Sequence, residues 1–254
     1  MRPDLLDRFF AWLPALEPRA RKRQRLMDAP FPRHWRDILL ARVPFWRDWT
    51  PALREEAEPL LQAFEGEQRW VGAGGLEVTE EMRVVISACA TRPILRLDLE
   101  LYDHLSEIVV YPYTRLTVPG HGENVLGVAH PHGVIVLTWP AVLRGLEAPE
   151  DGHDTALHEF VHALDMADGV MDGAPPLRSH EDYDPWARTL GARFDALQEG
   201  REHVLRPYGG ESPAEFFAVA SEHFFERPHE LRQQLPDLHA VLVRFYGWDP
   251  GDPG

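Results

Sequence analysis

The stretch HEFVH places two imidazoles, His158 and His162, four residues apart, with the carboxylate of Glu159 beside the first. On a helix, residues four apart stand one turn above each other on the same face, so both rings can reach one metal ion. Glu159 then lies beside that ion rather than on it, within reach of a bound water, where a general base for hydrolysis belongs. Chance can supply this pattern in a chain with 13 histidines, so its weight depends on the element that carries it. The surrounding residues read as a helix. Asp151 or Asp154 can cap its start, Leu157, Phe160, Val161 and Leu164 give it a face to bury, and Gly169 can end it.

A catalytic zinc takes three protein ligands and keeps a fourth position open. Cys89 is the only cysteine, which excludes a disulfide within the chain and a thiolate cluster, so any metal is held by histidine and carboxylate. The extended motif with a third histidine is absent, because positions 165 and 168 are Asp165 and Asp168. The best third ligand stands in PYGGESPAEFFAVASEHFFE, where Glu215 falls in the first turn of an apolar helix entered through Ser212 and Pro213. Glu222 lies seven residues on, about 10 Å along the axis, so the two cannot bind one ion. Glu222, Asp165, Asp168, His180 and Glu181 remain alternatives to Glu215. Asp165, one turn beyond His162, is also placed to accept an imidazole N–H. His130 and His132 in AHPHG read as polar surface rather than a second metal site.

These residues need elements to position them. Residues 1–90 read as helices broken by proline, namely DLLDRFFAWL, PRHWRDILLARV and TPALREEAEPLLQAFEGEQRW, forming an N-terminal helical lobe. A buried helix containing Cys89 follows, with Thr79 as its cap. Between 94 and 140, SEIVVYPYTRLTV and HGVIVLTW carry strand signals and predict a small sheet of three or four strands. Helices return from 151 onward in TALHEFVHALDMADG, DPWARTLGARFDALQEGRE, SPAEFFAVASEHFFE and LRQQLPDLHAVLVRFYGW. Residues 91–254 would then carry the catalytic region and 1–90 the lobe, packed as one compact unit.

Composition narrows the function. A hydrophobic share of 44% and a charged share of 26% fit a globular fold, and no run approaches the ~18 apolar residues of a membrane span. The net charge of -15 repels phosphate backbones and argues against direct nucleic-acid binding. The basic run PRARKRQR at 18–25 reads as a solvated face. The amino terminus has acidic residues and prolines within its apolar patch and basic residues after it, the reverse of a secretory signal, so the expectation is cytoplasmic. Lys22 is the only lysine and no GxSxG elbow is present, which leaves metal-assisted hydrolysis as the favoured chemistry.

HEFVHALDMADG together with RPYGGESPAEFFAVASEHFFE resembles the Mlc titration factor A family of bacterial zinc metallopeptidases, and more distantly the catalytic domain of anthrax lethal factor. GGLEVTEEMRVVISA, SEIVVYPYTR, GVIVLTWPAVLRG and LVRFYGWDP extend the likeness over most of the chain. The resemblance implies an α+β, mainly helical zincin-like fold with a small mixed sheet above the HExxH helix. It also implies Zn2+ held by His158, His162 and Glu215, with Glu159 as the base. A tyrosine seven residues before the ligand glutamate matches Tyr208, whose phenol could donate to an oxyanion. Ser212 replaces the asparagine frequent in the family, and both cap helices. The implied activity is hydrolysis of short peptides, aminopeptidase-like, by a monomer. An extended substrate would pair with an edge strand, for which GVIVLTW is the candidate. The rival reading is a non-catalytic regulator that sequesters a transcriptional repressor resembling Mlc, with a structural metal site.

Overall fold

The computed structural model describes residues 18–118 and 122–252. The helix expected over DLLDRFFAWL lies outside them. The chain first forms α1 (Arg19–Asp28), α2 (Arg33–Arg42), α3 (Pro44–Asp48) and α4 (Pro51–Glu67). Thr50 caps α4 by accepting the Leu53 N–H at 3.3 Å, with Pro51 preset for the first turn. The basic run is the start of α1. Arg19 and Arg23 fold back onto Glu67, at 3.0 and 2.7 Å, rather than standing free.

β1 (Arg69–Gly72) precedes α5 (Glu80–Ile94), and β2 (Glu107–Tyr111), β3 (Leu116–Val118), β4 (Gly122–Val125), β5 (Gly127–His130) and β6 (Val134–Thr138) follow. Four strands form a mixed sheet in the order β1-β2-β6-β5, while β3 and β4 pair separately. β1, β2 and β6 run parallel; β5 runs antiparallel to β6, with Gly127 opposite Leu137 and His130 opposite Val134. Two expectations change here. Arg69 and Trp70, read as the end of a helix, instead begin the strand Arg69–Gly72. GVIVLTW is no edge: β6 is enclosed between β2 and β5, and the edges are β1 and β5. The reason is chemical, since the nearly continuous apolar run of β6 suits a strand with neighbours on both sides, and its Ile135 and Leu137 are wholly buried.

After the sheet come α6 (Trp139–Glu147), α7 (Thr155–Asp165), α8 (Tyr183–Gln198), α9 (Pro213–Glu226), α10 (Pro228–Gln234) and α11 (Pro236–Tyr246). The carboxy-terminal segment expected as one helix is two, because Pro236 restarts the chain at the first turn of α11. α7 packs against β5, β6, α5 and α9 at the centre of the molecule. Leu157, Phe160, Val161 and Leu164 are wholly buried, and Phe160 meets Phe64 of α4 edge-on at 5.5 Å. The fold is thus a mainly helical α+β architecture with one small mixed sheet. No helix among the described residues is long and apolar enough to cross a membrane.

Candidate metal centre

α7 begins where Asp154 accepts the Leu157 N–H at 3.1 Å, and a 3-10 turn over Met166–Asp168 carries it to Gly169, whose φ of 94° closes the segment. This fixes His158 and His162 on one face, with their Nε2 atoms 3.0 Å apart. α9 supplies the opposing group. Ser212 accepts the Glu215 N–H at 3.2 Å and so anchors the first turn that holds this carboxylate. Glu215 Oε2 lies 2.9 Å from His158 Nε2 and 3.4 Å from His162 Nε2.

Among the described residues, this trio is the group of histidine and carboxylate side chains able to hold one metal ion. Its spacings fit: bonds of about 2.0–2.1 Å in tetrahedral geometry put neighbouring donors about 3.3 Å apart. The alternatives lie elsewhere. Both Asp165 oxygens accept the Gly173 N–H, at 3.0 and 2.8 Å, while Asp168 caps the Val170 N–H and His180 and Glu181 face solvent. The His162 Nδ1 that Asp165 was expected to satisfy is buried without a partner. Glu222 instead accepts from His158 Nδ1 at 3.1 Å, fixing that ring with Nε2 toward the trio.

The electrostatics follow from crowding buried acids around two imidazoles. Burial acts against a charge on His158, yet Glu222 and Glu215 raise its pKa to about 10. Burial opposes ionisation of Glu215 too, but hydrogen bonds with His158 and His162 hold its carboxyl well below the usual range. Burial raises Glu159, against the pull of the two histidines. Its side chain lies under β5 against Gly127, where a Cβ would come within 2.7 Å of Glu159 Cγ. Tyr208 sits on the 3-10 turn Pro207–Gly210 with its ring 5.9 Å from that of His158. Partial burial and the Glu215 charge raise its pKa.

These groups open onto a cleft of about 510 Å³ between β5 and the Tyr208 turn, with Met171 at its rim. Sequence reasoning passed over three residues here. Gly127 makes room for Glu159, Arg206 binds Glu222, and His153 lines the wall with its N–H held by Glu226 at 2.9 Å. The RPYGGE segment placed Arg206 two residues from Tyr208, which was the available signal. His130 ends β5 and His132 follows in the turn to β6, where the His132 N–H donates to His130 Nδ1 at 3.3 Å.

Comparison with known proteins shows what the chain as a whole is similar to. The profile of a family described as glucose-regulated metallo-peptidase M90 matches residues 18–247. An uncharacterized protein of Synechocystis is 33% identical over 244 residues, covering 90% of this chain and 89% of that one. Proteins named Mlc titration factor A are also similar. The one from Pectobacterium atrosepticum is 29% identical, covering 85% of this chain and 86% of its own length. The one from Edwardsiella ictaluri is 31% identical, covering 72% and 76%.

Proposed function

Because the chain belongs to the glucose-regulated metallo-peptidase M90 family, we propose that it is a zinc-dependent peptidase acting aminopeptidase-like on short peptides. The observation that carries this reading is the convergence of three donor atoms beside a buried carboxylate, on the wall of an open cleft. His158, His162 and Glu215 are the proposed zinc ligands. Bound there, Zn2+ would acidify a water and polarise the scissile carbonyl.

The chain's own groups do the rest. Glu159 takes a proton from the attacking water and returns it to the leaving amine, and its raised pKa suits both roles. Tyr208, on the turn beside His158, donates a hydrogen bond to the developing oxyanion. The outer edge of β5, which lines the cleft, offers backbone groups to an extended peptide, which would lie antiparallel to it over the Glu159 carboxylate. The reading places the enzyme in the cytoplasm as a monomer, without nucleic acid as a direct partner.

The name of the relatives favours a second reading, in which the protein binds a repressor resembling Mlc and the metal is structural. One experiment separates them: zinc is measured by elemental analysis, and hydrolysis of chromogenic amino-acid amides is compared between wild type and Glu159→Gln. We expect zinc in both and a loss of about 10²–10⁴-fold in kcat/KM for the variant. Zinc without hydrolysis in the wild type, with repressor binding intact in both, would instead support the regulator.

A further inference from the structure

We propose that Arg206 is a positioning residue that sets the metal affinity of the centre through Glu222 and holds Tyr208 in register with it. The inference rests on the reading of the trio as a zinc site. Glu222 is wholly buried, and a single oxygen, Oε2, receives both His158 Nδ1 at 3.1 Å and an Arg206 N–H. Oε1 has no partner. The orientation of the carboxylate against His158 therefore depends on one arginine. Without it, Glu222 would be a buried charge facing only an imidazole, free to rotate its unpartnered oxygen toward better solvation.

The same guanidinium makes a second bond in another direction. Arg206 Nε donates to Gly152 O at 2.9 Å. Gly152, at φ 75°, lies in the turn two residues before Asp154, the cap of α7. Arg206 itself enters the Pro207–Gly210 turn that carries Tyr208. One planar group thus ties together the start of the HEFVH helix, the buried face of α9 and the tyrosine turn. A point-charge amine cannot address Gly152 O and Glu222 with the same fixed fork. The hydrogen-bond partners of a metal-binding histidine tune its affinity by about 10–100-fold, and here that control passes through Arg206.

The test uses the full chain, with zinc dissociation constants measured by competition against a chromogenic chelator and kcat and KM measured on an amino-acid amide. Arg206→Met should raise the zinc dissociation constant about 10–100-fold. It should also lower kcat with KM near that of wild type, because Tyr208 loses its anchor. Arg206→Lys should recover only part of both, and it serves where the methionine variant folds poorly. The informative comparison is made in the Glu222→Gln background, where Arg206→Met should change zinc affinity by less than about threefold, the link being already cut. Equal losses of affinity in both backgrounds would reduce Arg206 to a general structural support and overturn the proposal. So would wild-type affinity and kcat in Arg206→Met and Arg206→Lys, provided the wild type binds zinc and turns over. A wild type that binds no zinc would strike the zinc reading itself, which is a separate result.

Discussion

At the scale of single residues, the position of Glu159 depends on a residue that has no side chain. A Cβ at Gly127 would fall 2.7 Å from Glu159 Cγ and 3.0 Å from its Cδ, so Gly127→Ala must push the carboxylate off its place under β5. On the proposed reading, this variant should keep the metal, since the trio is untouched, and lose about tenfold or more in kcat, the scale of a modest misplacement of a catalytic group. Elemental analysis and steady-state kinetics on one preparation check both halves, and unchanged kcat would show that Glu159 tolerates the shift. The contrast with the histidines explains what the sequence made legible. His158, Glu159 and His162 relate to one another through one turn of one helix, a spacing readable from the chain. Gly127 and Arg206 take their meaning from contacts with other segments, as when Arg206 reaches Gly152, 54 positions away. No periodicity encodes such a contact.

At the scale of elements, the candidate centre is two helix faces brought together, and each helix is registered by its cap. Ser212 holds the Glu215 N–H at 3.2 Å, so the same bond that starts α9 sets the carboxylate against the two histidines. Ser212→Ala should therefore cost about 1 kcal/mol in chemical denaturation and weaken zinc binding, whereas Ser212→Asn, another capping residue, should preserve both. Equal zinc affinity in all three proteins would detach the cap from the centre. The caps and apolar periods of α7 and α9 were visible in the sequence because they are local chemistry. The sheet edge was not: apolar run length marked β6 as a strand, but which strand lies outermost is decided by pairing between distant segments. β5 is short and contains glycine and histidine, so it read as the loop between strands.

At the scale of the whole molecule, one continuous core runs from Trp35 to Trp248 and encloses charges as well as rings. Arg92 is buried between Phe45 and Phe225, at 4.5 and 5.3 Å from their centroids, and donates to Phe225 O at 2.7 Å. Burial and then the neighbouring Asp154 push the Glu226 carboxyl up to about 8, with Arg92 pulling the other way. The folded protein therefore keeps a proton that the unfolded chain gives up near the ordinary glutamate value of 4.5. Between those two pH values the native state binds more protons, so stability falls as pH rises through that window. Glu226→Gln removes this contribution while keeping an acceptor for the His153 N–H. The variant should gain on wild type, on the order of 1 kcal/mol or more, between pH 5 and pH 8 in thermal unfolding. A constant difference across that range would count against a proton held on Glu226. The edge strand has a consequence of another kind. β5 is four residues long and borders the cleft, so a chain can pair with it only as a single drawn-out thread. A segment locked inside a folded domain must first come loose before it can pair in this way, so its access to β5 follows its own opening equilibrium. On the proposed reading, short peptides and loose chain ends would be taken ahead of folded segments without any reading of their sequence.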